Sequence, residues 1–329
     1  MDYENLNLTI SASPHVHSPD NTRSIMLDVI IALVPAMLGS IFFFGVRALM
    51  VMAVSVAACV AFEYLYRRIL KKDTTIGDCS AVVTGILLAM VCPATIPYWA
   101  IIIGDFFAII VVKQLFGGIG CNFLNPALAG RAFLFSYPVL MTTWPAVRTA
   151  LKVFGSNVDA VTAATPMASL HQGLLPEVSL LDCLVGNVGG SLGETSAILL
   201  LVGFLYLLVR KIISARIPLA YIATVAILAF LFPQGNDRLV WTGYQVFSGG
   251  LMLGAIFMAT DYATSPVTGW GQIIYGVGCG LITIGIRYFG SYAEGVSYAI
   301  LIMNVTASLL DKVGIPKRFG YVKPKKEAE

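Results

Sequence analysis

The sequence has little charge. Of its 329 residues, 12% are charged and 57% are hydrophobic, whereas an ordinary soluble domain has roughly 25% charged residues. This composition indicates an integral membrane protein. At about 20 residues per span, the chain is long enough for about ten membrane helices. Its net charge of +3 is small and scattered along the chain, which argues against a nucleic-acid partner.

Clustered metal ligands and hydrolytic residues are also missing. The six cysteines include no C-x-x-C pair and fall mostly inside apolar runs, so neither a zinc site nor a disulfide framework is indicated. His15 and His17 are too few ligands for a structural metal site. No Ser/His/Asp or Cys/His set is apparent, and we therefore predict neither a metal centre nor a catalytic set of residues.

Ten apolar runs are long enough to cross the hydrocarbon layer of a membrane, which is about 30 Å thick. They lie near residues 26–45, 48–66, 79–96, 98–112, 122–140, 195–210, 217–233, 246–262, 271–289 and 293–310. We therefore predict an all-α integral membrane fold with about ten transmembrane helices. Several runs contain Gly or Pro, which membrane helices tolerate where neighbours or water satisfy the freed backbone groups, so broken helices are expected.

A faint internal similarity favours two halves. Residues 84–95 precede an Asn-bearing run at 122–131, and residues 254–266 precede a second Asn-bearing run at 304–311. In many transporters two such halves are related by inversion across the membrane. The pattern therefore predicts two inverted five-helix repeats, and a chance likeness between apolar helices of similar composition remains an equal alternative.

Lys and Arg residues predict the orientation, because short loops rich in them stay in the cytoplasm. If both termini are cytoplasmic, 15 of the 21 basic residues lie on that side. The lysine-rich end of the chain is then an anchor on anionic lipid. The predicted parts are a cytoplasmic tail at 1–23, helices one to five within 24–140, an ordered extracytoplasmic loop at 141–194, helices six to ten within 195–310, and a basic cytoplasmic tail at 311–329.

The sharpest local feature of the predicted outer loop is the stretch from Asp159 to Thr165, which reads Asp-Ala-Val-Thr-Ala-Ala-Thr. Taken alone, it is consistent with an Asp or Thr that caps a short helix. It also suits a modification site, because the small Ala163 and Ala164 leave the Thr165 hydroxyl approachable. Asp159 is then placed to bind the metal of a modifying enzyme or to orient that hydroxyl.

The same stretch resembles the flavin-attachment motif of the RnfD/NqrB family, Asp-x-x-[Ser/Thr]-[Gly/Ala]-Ala-Thr. Thr162 and Ala163 match its variable positions, and Ala163 stands where NqrB relatives usually have Gly. Further stretches resemble family signatures in family order, so that the resemblance covers essentially the whole chain; they are 13–15, 116–118, 122–133 and 258–261. The short amino-terminal tail and the overall length are more similar to RnfD than to NqrB.

The resemblance implies a bacterial inner-membrane subunit of an Rnf-type complex. Such a complex oxidises reduced ferredoxin, reduces NAD⁺ and couples the transfer to export of Na⁺ or H⁺. In this family the final threonine of the motif, here Thr165, carries FMN through a phosphoester bond that a flavin transferase makes from FAD. Asp159, Thr162, Ala163 and Ala164 complete the attachment motif. Because the chain lacks the cysteine sets of iron–sulfur clusters, partner subunits must supply those centres.

A rival hypothesis is a channel or facilitator for a small polar solute, without redox activity. The family is said to resemble urea transporters in architecture, so the fold alone does not separate the two functions. The loop motif does, since a solute channel has no need of residues 159–165.

Ionisable groups within the apolar runs are costly in a membrane and are usually paired or functional. Glu63 and Asp261 fall where the resemblance implies acidic residues associated with cation uptake, and they are our candidates for an ion path. Asp105 has no such counterpart, and a salt bridge or a position near a helix end is the favoured explanation for it. The same structural explanation remains open for Glu63 and Asp261.

Two predicted helix breaks, at Asn125 with Pro126 and at 264–266, are expected to expose carbonyl groups and helix ends to a cavity. Such a cavity is suited to an ion or to a second, noncovalent flavin such as riboflavin, which the resemblance to NqrB suggests. The sequence leaves both possibilities open.

Overall fold

The computed structural model describes residues 21–144, 165–194, 196–235 and 237–315, and every regular element in these ranges is helical. The α-helices are α1 (Thr22–Phe44), α2 (Val46–Ile69), α3 (Ser80–Met90), α4 (Tyr98–Phe106), α5 (Pro126–Leu134), α6 (Pro138–Met141), α7 (Pro166–His171), α8 (Leu180–Val185), α9 (Ala197–Val209), α10 (Arg216–Leu231), α11 (Arg238–Phe247), α12 (Leu251–Leu253), α13 (Gly269–Phe289) and α14 (Val296–Leu310). A 3₁₀ turn covers Ile76–Asp78, and π-helical segments continue α4 over Phe107–Gln114 and α12 over Gly254–Met258. The predicted all-α fold is confirmed for the described residues.

Three of these helices are long and apolar enough to cross a membrane. They are α1, α2 and α13, with 23, 24 and 21 residues, and a fourth span results if α11 and Leu251–Met258 are joined across a bend of 59°. Helices α3, α9, α10 and α14 are also apolar but have only 10–17 residues. At 1.5 Å per residue, they are shorter than a hydrocarbon layer of about 30 Å. The fold is that of a helical membrane protein, and the number of ten spans and the repeat remain predictions.

The interrupted helices exchange backbone partners with distant parts of the chain. At the end of α3, the carbonyl oxygen of Met90 accepts a hydrogen bond of 2.6 Å from Gly193 N, in the connection that precedes α9. At the start of α5, Asn125 Oδ1 accepts from the backbone N of Ala127 at 3.1 Å, and Asn125 Nδ2 donates to the carbonyl oxygen of Met258 at 3.3 Å. Polar backbone groups that a broken helix exposes are therefore satisfied inside the protein.

Close contacts between helices depend on glycine where two backbones meet. Helix α9 packs against α1, and a Cβ added at Gly203 would overlap the carbonyl oxygen of Ala32 and lie 2.9 Å from Phe257 Cζ. By contrast, a Cβ at Gly285 on α13 would meet nothing within 4 Å. Small residues of the first kind allow helices to approach closely in a membrane.

We expect Gly203→Ala to destabilise the protein and Gly285→Ala to leave its stability unchanged or slightly raised. Overpacking costs about 1–3 kcal/mol, whereas removing an exposed glycine from a helix interior gains up to about 1 kcal/mol. Thermal unfolding of the two variants in detergent measures the difference. Equal melting temperatures would contradict the close contact between α1 and α9.

Candidate functional site

Thr165 lies on the wall of a cavity of about 490 Å³, which we call the Thr165 cavity. The ends of several helices and the connections between them form its lining. Six of the lining residues are Arg131, Phe135, Thr165, Glu194, Tyr292 and Glu294. The cavity thus combines a hydroxyl group, aromatic rings and a group of charges.

The side chain of Thr165 is the N-cap of α7. Its Oγ1 accepts a hydrogen bond of 3.3 Å from the backbone N of Ala168, and Pro166 occupies the first helical turn, where its fixed φ is favourable. The predicted capping role is confirmed for Thr165. Because the cap uses a lone pair of the oxygen and not its proton, that proton is available for replacement. The other motif positions, Asp159, Thr162, Ala163 and Ala164, lie outside the described residues.

Arg131 is the central charge of the Thr165 cavity and is only 2% exposed. Its Nη2 lies 2.5 Å from Glu294 Oε2 and 3.5 Å from Glu194 Oε1, and its Nη1 donates to Ser297 Oγ at 2.8 Å. The guanidinium carbon lies 5.4 Å from the centroid of the Phe135 ring, within the range of a cation–π contact. The guanidinium is therefore held in one orientation by residues from three parts of the chain.

Two carboxylates face this single cation. Glu194 precedes α9, and burial together with the nearby Glu294 carboxylate raises the pKa of Glu194 to about 8. Glu294 makes the shorter contact with Arg131 and also accepts a hydrogen bond from the backbone N of Gly250. At neutral pH the pair Arg131 and Glu294 is ionised, and Glu194 is the group of the cluster that takes up a proton.

Glu63 lies elsewhere, in a buried ion pair. It is 1% exposed on α2, and its Oε2 lies 2.8 Å from Nζ of Lys113, in the π-helical segment after α4. Lys113 also donates to Ser80 Oγ at 2.6 Å, and Glu63 Oε1 accepts from Thr75 Oγ1 at 2.5 Å. The structural alternative considered for Glu63, a salt bridge, is thus confirmed.

Asp261 lines a second, smaller cavity of about 80 Å³, which we call the Asp261 cavity. Its wall also carries Lys113, Asn125 and Thr260, and Asp261 Oδ2 accepts a hydrogen bond of 3.1 Å from Thr264 Oγ1. Glu63 is not among the lining residues, but Lys113 contacts both the cavity and Glu63. The two ion-path candidates are therefore linked through one lysine.

Comparison with known proteins decides the family. The profile of the NQR2, RnfD, RnfE family matches residues 9–320. The chain belongs to this family. The RnfD subunit of the Na⁺-translocating ferredoxin:NAD⁺ oxidoreductase complex of Acetobacterium woodii is 49% identical, over 98% of this chain and 99% of the relative. The RnfD subunit of the proton-translocating complex of Clostridium ljungdahlii is 44% identical over 95% and 96% of the two chains. The corresponding subunit of the ion-translocating oxidoreductase complex of Stutzerimonas stutzeri is 37% identical over 90% and 91%.

The predicted family is thereby confirmed, and the structure brings several of its motifs together. The motif at 122–133 supplies both Asn125, which contacts the carbonyl of Met258 in the motif at 258–261, and Arg131, which shares the Thr165 cavity with Thr165. One helix, α5, therefore connects the two cavities of this family member.

Two expectations from the sequence need revision. Asp105 has no salt bridge within the described residues and is fully buried, so the expected salt bridge or exposed position is wrong. Sequence reasoning also missed Glu194 and Glu294. Each acidic residue stands two or three positions before an apolar helix, which is a signal for a charge at the membrane boundary.

Proposed function

We propose that this chain is the RnfD subunit of an ion-translocating ferredoxin:NAD⁺ oxidoreductase complex. It acts there as one component of an oxidoreductase and translocase and is not a self-sufficient enzyme. The observation that carries the proposal is identity of 44–49% over at least 95% of the chain with two relatives whose names state this activity. The position of Thr165 on a cavity wall supports a redox role over the rival solute channel.

We further propose that Thr165 carries FMN through a phosphoester bond. Three features support it: the free proton of the Thr165 hydroxyl, a cavity of about 490 Å³ beside it, and the aromatic rings of Phe135 and Tyr292 in its wall. Pockets for cofactors and similar ligands have volumes of roughly 300–1,000 Å³. When bound, a flavin supplies one- and two-electron transfer. Phe135 and Tyr292 exclude water, and Arg131 provides a fixed positive charge.

The remaining partners follow from what this chain lacks. Other components of the complex supply iron–sulfur and further flavin centres, because the six cysteines of this chain form no cluster-binding set. A flavin transferase attaches the FMN and releases AMP from FAD. Membrane lipid contacts the apolar outer faces of α1 and α2, where large side chains such as Leu38 and Leu65 are more than half exposed.

For the architecture, we propose a multi-pass protein of the bacterial inner membrane with two inverted repeats of five helices. Both termini are cytoplasmic, and the segment at 141–194 is extracytoplasmic. The packing supports this, because α2 packs on α3 and α4 in the first half as α10 packs on α11 and α13 in the second. Helix α5 then corresponds to α14, and these two helices contact each other.

The Asp261 cavity is our proposed ion site. Its volume of about 80 Å³ lies well below the range of roughly 300–1,000 Å³ for pockets that hold larger ligands, which favours an ion over riboflavin. Asp261 supplies a carboxylate, and Asn125 and Thr260 line the same wall. Oxygen ligands of this kind suit a hard cation such as Na⁺. Glu63 acts from the neighbouring ion pair through Lys113.

We expect Asp261→Asn and Glu63→Gln to slow cation-dependent turnover of the complex several-fold and to leave flavin attachment intact. Both changes keep the size of the side chain and remove its charge. Ferredoxin-dependent NAD⁺ reduction measured over a range of Na⁺ concentrations and pH values checks this. Glu177→Gln, at an exposed carboxylate, is the control. Unchanged cation dependence in both variants would remove the two residues from the ion path.

Mass spectrometry tests the proposed function most directly. The tryptic peptide that contains Thr165 spans residues 153–210, because no Lys or Arg lies between its ends. From protein matured together with a flavin transferase, we expect this peptide to carry the mass of one FMN at Thr165. A bare peptide from such protein would contradict an electron-carrying role and favour the solute channel.

A further inference from the structure

Asp105 is a buried carboxyl group that the proposed ion path does not use. It lies on α4 with none of its surface exposed. Helix α4 packs against α2, which is long and apolar enough to cross a membrane, and against α3 and α5. An ionisable residue in such a place is expensive, and a function or a partner is expected for it.

The hydrogen bonds around Asp105 identify its protonation state. Ser55 Oγ lies 2.7 Å from Asp105 Oδ1 and 2.9 Å from the carbonyl oxygen of Gly85. A serine hydroxyl has one proton and donates a full hydrogen bond to only one acceptor. With an ionised Asp105, one of the two contacts would join two oxygens without a proton between them. A protonated Asp105 satisfies both, because the carboxyl donates to Ser55 and Ser55 donates to Gly85.

The second carboxyl oxygen supports the same assignment. Asp105 Oδ2 is buried and has no hydrogen-bond partner in the part of the chain that the structure describes. Cys59 Sγ, 3.2 Å from Oδ1, is only a weak donor. A bare carbonyl oxygen of a neutral acid is tolerated in a protein interior, whereas a bare oxygen of an ionised carboxylate is strongly unfavourable.

The charges on the surrounding helices do not compensate an ionised Asp105. Lys113, which follows α4 in the chain, is already paired with Glu63 of α2. Arg131 of α5 faces the two carboxylates of the Thr165 cavity. Helix α3 carries no charged residue. In the described part of the chain, no cation forms an ion pair with Asp105.

The position is built by close helix packing. A Cβ at Gly85 would lie 2.8 Å from the Cα of Val56, so only glycine lets α3 bring its carbonyl group beside Ser55. Ser55, Cys59 and Glu63 follow one another at intervals of four residues and therefore share one face of α2. The polar groups around Asp105 thus continue along α2 to the ion pair of Glu63 and Lys113.

We propose that Asp105 is a proton-binding site in the membrane interior, occupied as a neutral carboxylic acid that donates a hydrogen bond to Ser55. Its ligand is a proton, which binds to the carboxylate to give the acid and leaves by the reverse step without any other reactant. The site is distinct from Glu63 and Asp261. This inference deepens the proposed role in ion translocation and rests on it for its biological purpose.

Infrared spectroscopy of the purified complex tests the site. At neutral pH in KCl, we expect a carbonyl stretch of a protonated carboxyl group that shifts on labelling with ¹³C-aspartate. This band is lost in Asp105→Asn and changes frequency in Ser55→Ala. The exposed Asp73 provides the control, and Asp73→Asn keeps the band unchanged. Isotope labelling of the unmodified complex identifies an aspartate even if Asp105→Asn fails to assemble.

Two results would overturn the proposal. One is the absence of any protonated aspartate band from the unmodified complex at neutral pH. The other is disappearance of the band when NaCl replaces KCl, since a sodium ion would then occupy the site. Fluorescence of covalent flavin in the same samples reports on the proposed function separately. Failure of one proposal is therefore distinguishable from failure of the other.

Discussion

Thr165→Val is expected to abolish covalent flavin attachment completely and to leave a folded protein. Valine has nearly the shape of threonine but no oxygen to form the phosphoester. Loss of the N-cap of α7, where Thr165 Oγ1 accepts from Ala168 N, costs only about 1 kcal/mol. Fluorescence of the denatured chain in a gel under ultraviolet light, after coexpression with a flavin transferase, measures attachment.

Two matched variants make this result specific to one hydroxyl. Thr165→Ser retains both the oxygen and the capping group, and we expect it to keep the fluorescent band. Thr142→Val changes a second threonine of the Thr165 cavity, whose hydroxyl donates to the carbonyl oxygen of Pro138, and we expect no loss of flavin. A fluorescent band that persists in Thr165→Val would place the flavin on another residue.

Arg131→Met is expected to destabilise the protein by about 3–5 kcal/mol, because it leaves a buried charge without its partner. The Glu294 carboxylate lies 2.5 Å from Arg131 Nη2 in the native protein, and Glu194 competes for the same group at 3.5 Å. Both would remain buried around an apolar side chain. Thermal unfolding in detergent, with detection by size-exclusion chromatography, measures the loss.

The controls for Arg131 separate buried from exposed ion pairs. Arg210 contacts Asp28 at 3.0 Å, but its side chain is 53% exposed, so Arg210→Ala is expected to cost at most about 1 kcal/mol. Combining Arg131→Met with Glu194→Gln and Glu294→Gln removes the unpaired charges, and we expect it to recover part of the lost stability. Equal melting temperatures for Arg131→Met and Arg210→Ala would contradict the central role of the Arg131 cluster.

The class of protein and its family were predictable from the sequence because both depend on local information. Low charge and long apolar runs determine that a chain enters a membrane, whatever its tertiary contacts. The motif that ends at Thr165 is contiguous, and so are the stretches at 122–133 and 258–261. The capping role of Thr165 is local as well, since its partner Ala168 is three residues away.

Helix lengths were predicted less well. The apolar run at 79–96 contains a helix of only 11 residues, Ser80–Met90, and the run at 246–262 includes the end of α11, a bend and a π-helical segment. Hydropathy alone does not reveal such breaks. They are stable here because distant groups, such as the backbone N of Gly193 and the amide of Asn125, satisfy the exposed carbonyls.

By itself, the sequence determined that this is a helical membrane protein of the NQR2, RnfD, RnfE family with a distinctive threonine. Tertiary structure alone decided which charges meet. Arg131 is 63 residues from Glu194 and 163 from Glu294, and Lys113 is 50 residues from Glu63. Asp105 was expected to be paired or exposed, and it is instead buried beside Ser55, a serine 50 residues away. The physical reason is that hydropathy and capping act between neighbours in the chain, whereas the energy of a buried charge depends on groups that only packing brings together.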